Sequence, residues 1–153
     1  MTEKIDPIDR AILRILQRDA TVGVDALAEQ VHLSRNACWR RVKQLEARKI
    51  IRDRVVLLDP DSVDLGLSVI VLIKTNSHDA DWLRTFREAV LAMPEILGAH
   101  RMTGELDYVL RVRVSSVKAY DRFYQELIRR IDISDVSASF VMEDIKDTTI
   151  LPV

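Results

Sequence analysis

The stretch that most limits the fold is Val69-Ile70-Val71-Leu72-Ile73, a strand-forming run that is apolar on both faces instead of alternating. The chain around it alternates strand and helix twice. Residues 67–75 predict a strand, and 80–93 a helix with Leu83, Phe86, Val90 and Met93 inward and Pro94 as its stop. Residues 97–103 read as a second strand, Gly104-Glu105-Leu106-Asp107 as a turn, and 108–114 as a third strand. Ser115-Ser116 caps a helix over 117–131, with Val117, Tyr120, Tyr124, Leu127 and Ile131 inward. A last long strand spans 136–143, and 150–153 adds a short one. The order β-α-β-β-α-β is the split-βαβ, ferredoxin-like arrangement. Two helices cover only one face of a four-stranded sheet, so the other face has to meet a second subunit, a ligand or both. A dimer with its sheets packed together is expected.

The first third of the chain is of another kind. Asp6-Pro7-Ile8-Asp9 is a helix start, with an Asp cap, Pro at the first helical position and an acid in the first turn. Ile8, Ile12, Leu13 and Leu16 then form one stripe, and a shorter helix over 24–31 buries Leu27, Ala28 and Val31. His32-Leu33-Ser34 is a tight turn, and Ser34 caps a third helix over 34–47. Its Cys38, Val42 and Leu45 fall at i, i+4 and i+7 and face inward, while Arg35, Asn36, Trp39, Arg40 and Lys43 fall mostly on the other side. Two β-rich stretches, 50–52 and 54–58, predict a basic hairpin, or wing, ended by Asp59-Pro60. The domain plan is therefore 1–58, a linker over 59–66, and 67–153.

Charge agrees with this division. Residues 1–54 carry 12 Lys and Arg against 8 Asp and Glu, whereas 55–153 carry 11 against 16. The basic block contains Arg35, Arg40, Arg41, Lys43, Arg48, Lys49, Arg52 and Arg54, opposed locally by Glu46 and Asp53. Two short helices joined by a tight turn, the second with a cationic and polar outer face, make a helix–turn–helix. Ser34, Arg35, Asn36, Trp39, Arg40, Arg41, Lys43 and Gln44, with Arg52 and Arg54 on the wing, are the candidate contacts to double-stranded DNA. A solvated helix face or a protein-interaction bundle is the plainer alternative. Trp39 either stacks on sugar or packs beneath the wing.

Other chemistries find little support. One cysteine, Cys38, permits no intrachain disulfide, and its inward position fits a small core residue better than a redox sensor. His32, His78 and His100 have no metal-ligand spacing, so no metal site is expected. There is no nucleophile motif, P-loop or dinucleotide fingerprint, hence no catalytic residue to assign and no enzyme expected. No apolar run nears the roughly 20 residues of a membrane span, and the first residues lack a signal-peptide core, so a cytoplasmic protein without membrane contact is expected.

From about residue 5 onward the chain resembles the Lrp/AsnC (feast/famine) regulators. The resemblance lies in 6–16, Leu27-Ala28-Glu29 through Leu33-Ser34, and Cys38-Trp39-Arg40-Arg41-Val42-Lys43-Gln44-Leu45-Glu46. It continues through Leu58-Asp59-Pro60, Thr103-Gly104-Glu105-Leu106-Asp107-Tyr108 and Ser139-Phe140-Val141-Met142-Glu143-Asp144-Ile145-Lys146. It implies an α+β protein: a winged helix–turn–helix joined to a ferredoxin-like domain that binds an amino acid and forms dimers, which assemble to tetramers or octamers. No cofactor other than that effector is implied. On matching positions, the effector pocket between neighbouring domains involves Arg101, Met102, Thr103, Gly104, Glu105, Asp107 and Tyr108, with Ser137, Ala138 and Ser139. Cys38-Trp39-Arg40-Arg41 and Val71-Leu72-Ile73-Lys74-Thr75 are similar to the subgroup that senses cysteine. The chain departs from the family at His32 and Lys49, where glycine is usual, and at Asn36-Ala37 in place of Thr-Pro; the first two matter little if those residues tolerate the left-handed region. Two other classes stay in view. One is a dimeric ferredoxin-like enzyme or ligand carrier using His100, Glu105 and Asp107; the other is an architectural DNA-binding protein.

Overall fold

In the computed structural model, residues 5–77 and 79–153 are described; the readings of residues 1–4 and of His78 lie outside them. Three helices come first: α1 (Pro7–Leu16), α2 (Val24–Gln30) and α3 (Arg35–Ala47). Then follow a 3₁₀ turn at Asp61–Val63 and the elements β1 (Leu67–Lys74), α4 (Ala80–Ala92), β2 (Ile96–Arg101), β3 (Tyr108–Val114), α5 (Val117–Arg130) and β4 (Asp135–Phe140). The chain divides into two units, Met1–Val56 with Lys146–Val153, and Leu57–Ile145.

Local chemistry sets the helix ends of the first unit. The Asp6 carboxylate accepts from the Asp9 N–H at 2.8 Å with Pro7 inside the first turn, and the Ser34 hydroxyl accepts from the Ala37 N–H at 3.3 Å. After α2, the His32 N–H donates to Glu29 O and the Leu33 N–H to Ala28 O; after α3, Lys49 donates to Glu46 O and Ile50 to Leu45 O. Both are Schellman stops, which place the residue after the cap in the left-handed region. His32 (φ 54) and Lys49 (φ 58) both adopt it without glycine. Ile12, Leu16, Leu27, Ala28, Val31, Cys38, Val42 and Leu45 fill the core beneath the three helices.

The second unit is a four-stranded antiparallel sheet in the order β2-β3-β1-β4, with β1 paired to both β3 and β4. Val69, Val71 and Ile73 of β1 and Tyr108, Leu110, Val112 and Val114 of β3 are buried with Trp82, Phe86, Phe123, Leu127 and Ile131 of the helical layer. Trp82, Phe86 and Tyr108 form an aromatic cluster with ring centroids 4.4–5.6 Å apart. The Trp82 indole N–H finds the Asp132 carbonyl at 2.6 Å, which satisfies its polar end on burial. On the helix-free face, Ile70 and Leu72 of β1 stand beside Arg111 and Val109 of β3 and Ser139 and Ser137 of β4. The doubly apolar character therefore belongs to the central strand alone.

Four local expectations are corrected. Residues 51–58 form no strand; Val55 to Leu58 lie exposed, because β-branched residues make a strand only where a partner takes their backbone hydrogen bonds. Residues 150–153 also form none, and belong with the first unit. Val117 is exposed, being the first residue of α5, while Phe123 takes the buried position. In α4 Phe86 and Met93 are buried as expected, but Trp82 and Ala89 complete the buried stripe while Leu83 and Val90 stay on its margin.

Candidate nucleic-acid interface and sensing region

Successive residues of a helix point 100° apart, so the core contacts of Cys38, Val42 and Leu45 fix the direction of every other α3 side chain. Asn36, Arg40, Lys43 and Gln44 lie around the opposite direction, and all are exposed, as are Ser34 and Arg35. Among the described residues Arg40 has no ion-pair partner. Arg35 is paired with Asp25 at 3.0 Å, both in solvent, a weak contact that a phosphate can displace. Lys43 reaches Glu46 at 2.8 Å, and Arg54 reaches the same carboxylate at 3.3 Å and the Ala20 carbonyl at 3.3 Å. The Lys43 hydrogen bond, helped by the nearby Arg54 charge, holds the Glu46 carboxyl below its usual range. Arg52 is exposed.

Arg41 does not join this face. It lies on the flank of the helix, half-buried, and its guanidinium bonds Asp6 at 2.5 Å and Asp9 at 2.8 Å. Its positive charge is thus committed to tying α3 to the start of α1, and it leaves the set of outward cations. The Asp6–Asp9–Arg41 clamp has no signature in local sequence, since its partners are 32 and 35 positions apart. Trp39, 55% exposed, borders a hollow of about 330 Å³ that Leu16, Val22, Val24, Leu27 and Val42 also line. Cys38 is fully buried, and burial pushes its thiol pKa up, as suits a core residue.

In the second unit the β2–β3 connection is closed by the Met102 N–H donating to Asp107 O at 2.8 Å. Gly104 at its tip has φ 109, a backbone that a side chain opposes. Arg101, Met102, Thr103, Gly104 and Glu105 are exposed at this end of the sheet. Asp107 accepts from the buried Thr75 N–H at 2.8 Å, and its own N–H donates to Ile73 O at 3.0 Å. This joins the turn to β1 through Thr75, whose part has no signal in local sequence because its partner is 32 positions away. Tyr108 is a core residue of the aromatic cluster. Ser137 and Ser139 lie on the helix-free face and Ala138 on the other, and β1 stands between β4 and β3. A single chain therefore does not gather the ten expected effector residues around one pocket. A cleft of about 610 Å³ runs between α4 and β2, bordered by Arg101 and Tyr108 but walled mainly by apolar residues such as Leu83, Val90, Met93 and Leu97.

Among the described residues no group of three or more His, Cys, Asp or Glu is placed to hold a metal, and no helix is long and apolar enough to cross a membrane. Glu105 is on the exposed turn, and Asp107 is bonded to the backbone of residue 75.

A helix–turn–helix with a polar, cationic outer face, on a chain that also carries an antiparallel α+β domain, defines a two-domain regulator. The family model for the AsnC-type helix-turn-helix domain matches residues 5–46, and that for the Lrp/AsnC ligand binding domain matches 68–151. The chain belongs to the Lrp/AsnC family of transcriptional regulators. It is 48% identical to the DNA-binding transcriptional activator DecR of Escherichia coli K12, over 97% of this chain and 99% of that protein. The crystal structure of an AsnC family transcriptional regulator from Agrobacterium tumefaciens superposes with a TM-score of 0.93 at 50% identity, covering 96% of each chain. A Neisseria meningitidis transcriptional regulator in complex with L-Met gives 0.92 at 35% identity, covering 97% of each.

Proposed function

We propose that this regulator binds double-stranded DNA through the outer face of α3 and that an amino acid held by the α+β domain modulates the binding. The observation that carries the reading is the split of α3, with Cys38, Val42 and Leu45 in the core and Asn36, Arg40, Lys43 and Gln44 in solvent. Arg40 is suited to a guanine edge, Asn36 and Gln44 to adenine, and Lys43, Arg35 and Ser34 to phosphate. Arg54 and Arg52 extend the cationic surface beyond the helix. The work divides between residues 1–58, which grip DNA, and 67–145, which sense and assemble, joined by 59–66.

The effector is an amino acid, by likeness to the Neisseria relative solved with L-Met. The exposed turn 101–105, with Asp107 behind it, presents groups of both signs to an ammonium and a carboxylate. Ser137–Ser139 complete the pocket from a neighbouring copy, since one chain keeps them apart. The protein works as a homo-oligomer built from dimers in the cytoplasm, without catalysis or cofactor.

Salt-dependent binding to the chain's own promoter region tests the DNA reading. Arg40→Ala and Lys43→Ala each weaken binding without dissociating the oligomer, and a lost phosphate contact lowers the log–log salt slope by about 1. A wild-type protein without salt-dependent binding there would overturn it. A thermal-shift screen of the twenty L-amino acids, cysteine included, identifies the effector as the one or two that raise the transition.

A further inference from the structure

After β4 the chain does not end in the second unit. Asp144 is held there by Arg113 Nη2 at 3.1 Å, and residues 146–153 then belong to the first unit. In that unit the Gln17 side chain makes a two-way contact: its Nε2 donates to Leu151 O at 2.8 Å, and the Leu151 N–H donates to its Oε1 at 2.9 Å. Arg14 Nε donates to Val153 O at 2.7 Å. Six residues, 145–150, separate the two anchors, so their reach is at most about 25 Å.

The grip falls at a telling place. Gln17 is the C-cap of α1, and Asp6 is its N-cap. Arg41 of α3 holds Asp6 and Asp9 at the opposite end of the same helix. A continuous line of covalent and polar links thus runs from β4 through 146–153 to α1, and from α1 through Arg41 to the recognition helix. We infer that Lys146–Val153 is a strap that couples the state of the α+β domain to α3, with Gln17 and Arg14 as its positioning residues. It is a second connection between the units, in parallel with 57–66. Its meaning for regulation rests on the proposed function, but its existence as a coupling element does not, and the test needs neither DNA nor effector.

Hydrogen exchange by mass spectrometry on the full chain measures the coupling. Val71→Ala opens a cavity in the second unit alone, and Arg14→Ala/Gln17→Ala unties the strap. With the strap intact, Val71→Ala speeds exchange of α1 and α3 amides by about threefold or more. In the untied background those amides exchange faster from the start, and Val71→Ala adds nothing further. Should Val71→Ala fail to fold, Ile73→Val makes the same comparison with a smaller cavity. The inference is overturned if α1 and α3 ignore the cavity while the strap is intact, or if the same increment survives untying.

Discussion

Arg40 and Arg41 follow one another on α3, yet the helical step of 100° gives one to solvent and the other to Asp6 and Asp9. Replacing Arg41 by Met leaves the largely covered Asp9 carboxylate without its cation. The half-exposed pair should cost about 1–2 kcal/mol of stability, read by urea unfolding, whereas Arg40→Ala should leave stability unchanged. The clamp also sets an acid limit. Asp6 has its carboxyl held below the usual carboxylate range, first by the Asp9 N–H and then by Arg41. Its contribution is therefore complete above the unfolded carboxyl value near 3.9 and is lost as pH falls through the lower folded value. Unfolding curves of wild type and Asp6→Asn should converge in that acid range. His32 and Lys49 carry left-handed strain that glycine would not. His32→Gly and Lys49→Gly should each stabilise the first unit by about 0.5–1 kcal/mol, measured by the same denaturation.

Among the elements, helices were the more legible. Each has a cap written into adjacent residues, as with Asp6, Ser34 and Ser116, and a buried stripe whose period reveals its face. The segment 50–58 read as strands and is not, because a strand's hydrogen bonds are made to another segment. The β2–β3 turn was legible through its glycine: Gly104 has a φ of 109, where a Cβ is opposed. Gly104→Ala should destabilise the second unit by about 1–2 kcal/mol and displace residues 103–105. Calorimetry registers the first effect, and a loss of amino-acid affinity in the thermal-shift screen the second.

For the molecule as a whole, exposed apolar residues are the main message. Val55 to Leu58 form a continuous run with Val56 84% exposed, and Leu91, Met142 (95%) and Ile145 are exposed as well. Such surface on one chain calls for association. The melting temperature should therefore rise with protein concentration, and sedimentation should show a mass above 17.6 kDa at all but the lowest concentrations. A concentration-independent transition of a monomer would count against the assembly.

The helix–turn–helix, the β-α-β-β-α-β order and the inward face of α3 are legible in local sequence, since caps and hydrophobic period act between residues at most a turn or two apart. The sequence also carries the family resemblance, through motifs spread along the whole chain. Packing alone makes Arg41 a clamp, puts Tyr108 in the core, ties the turn to Thr75 through Asp107, and returns residues 146–153 to α1. Each of those depends on partners more than twenty positions away, brought together by packing and not by spacing.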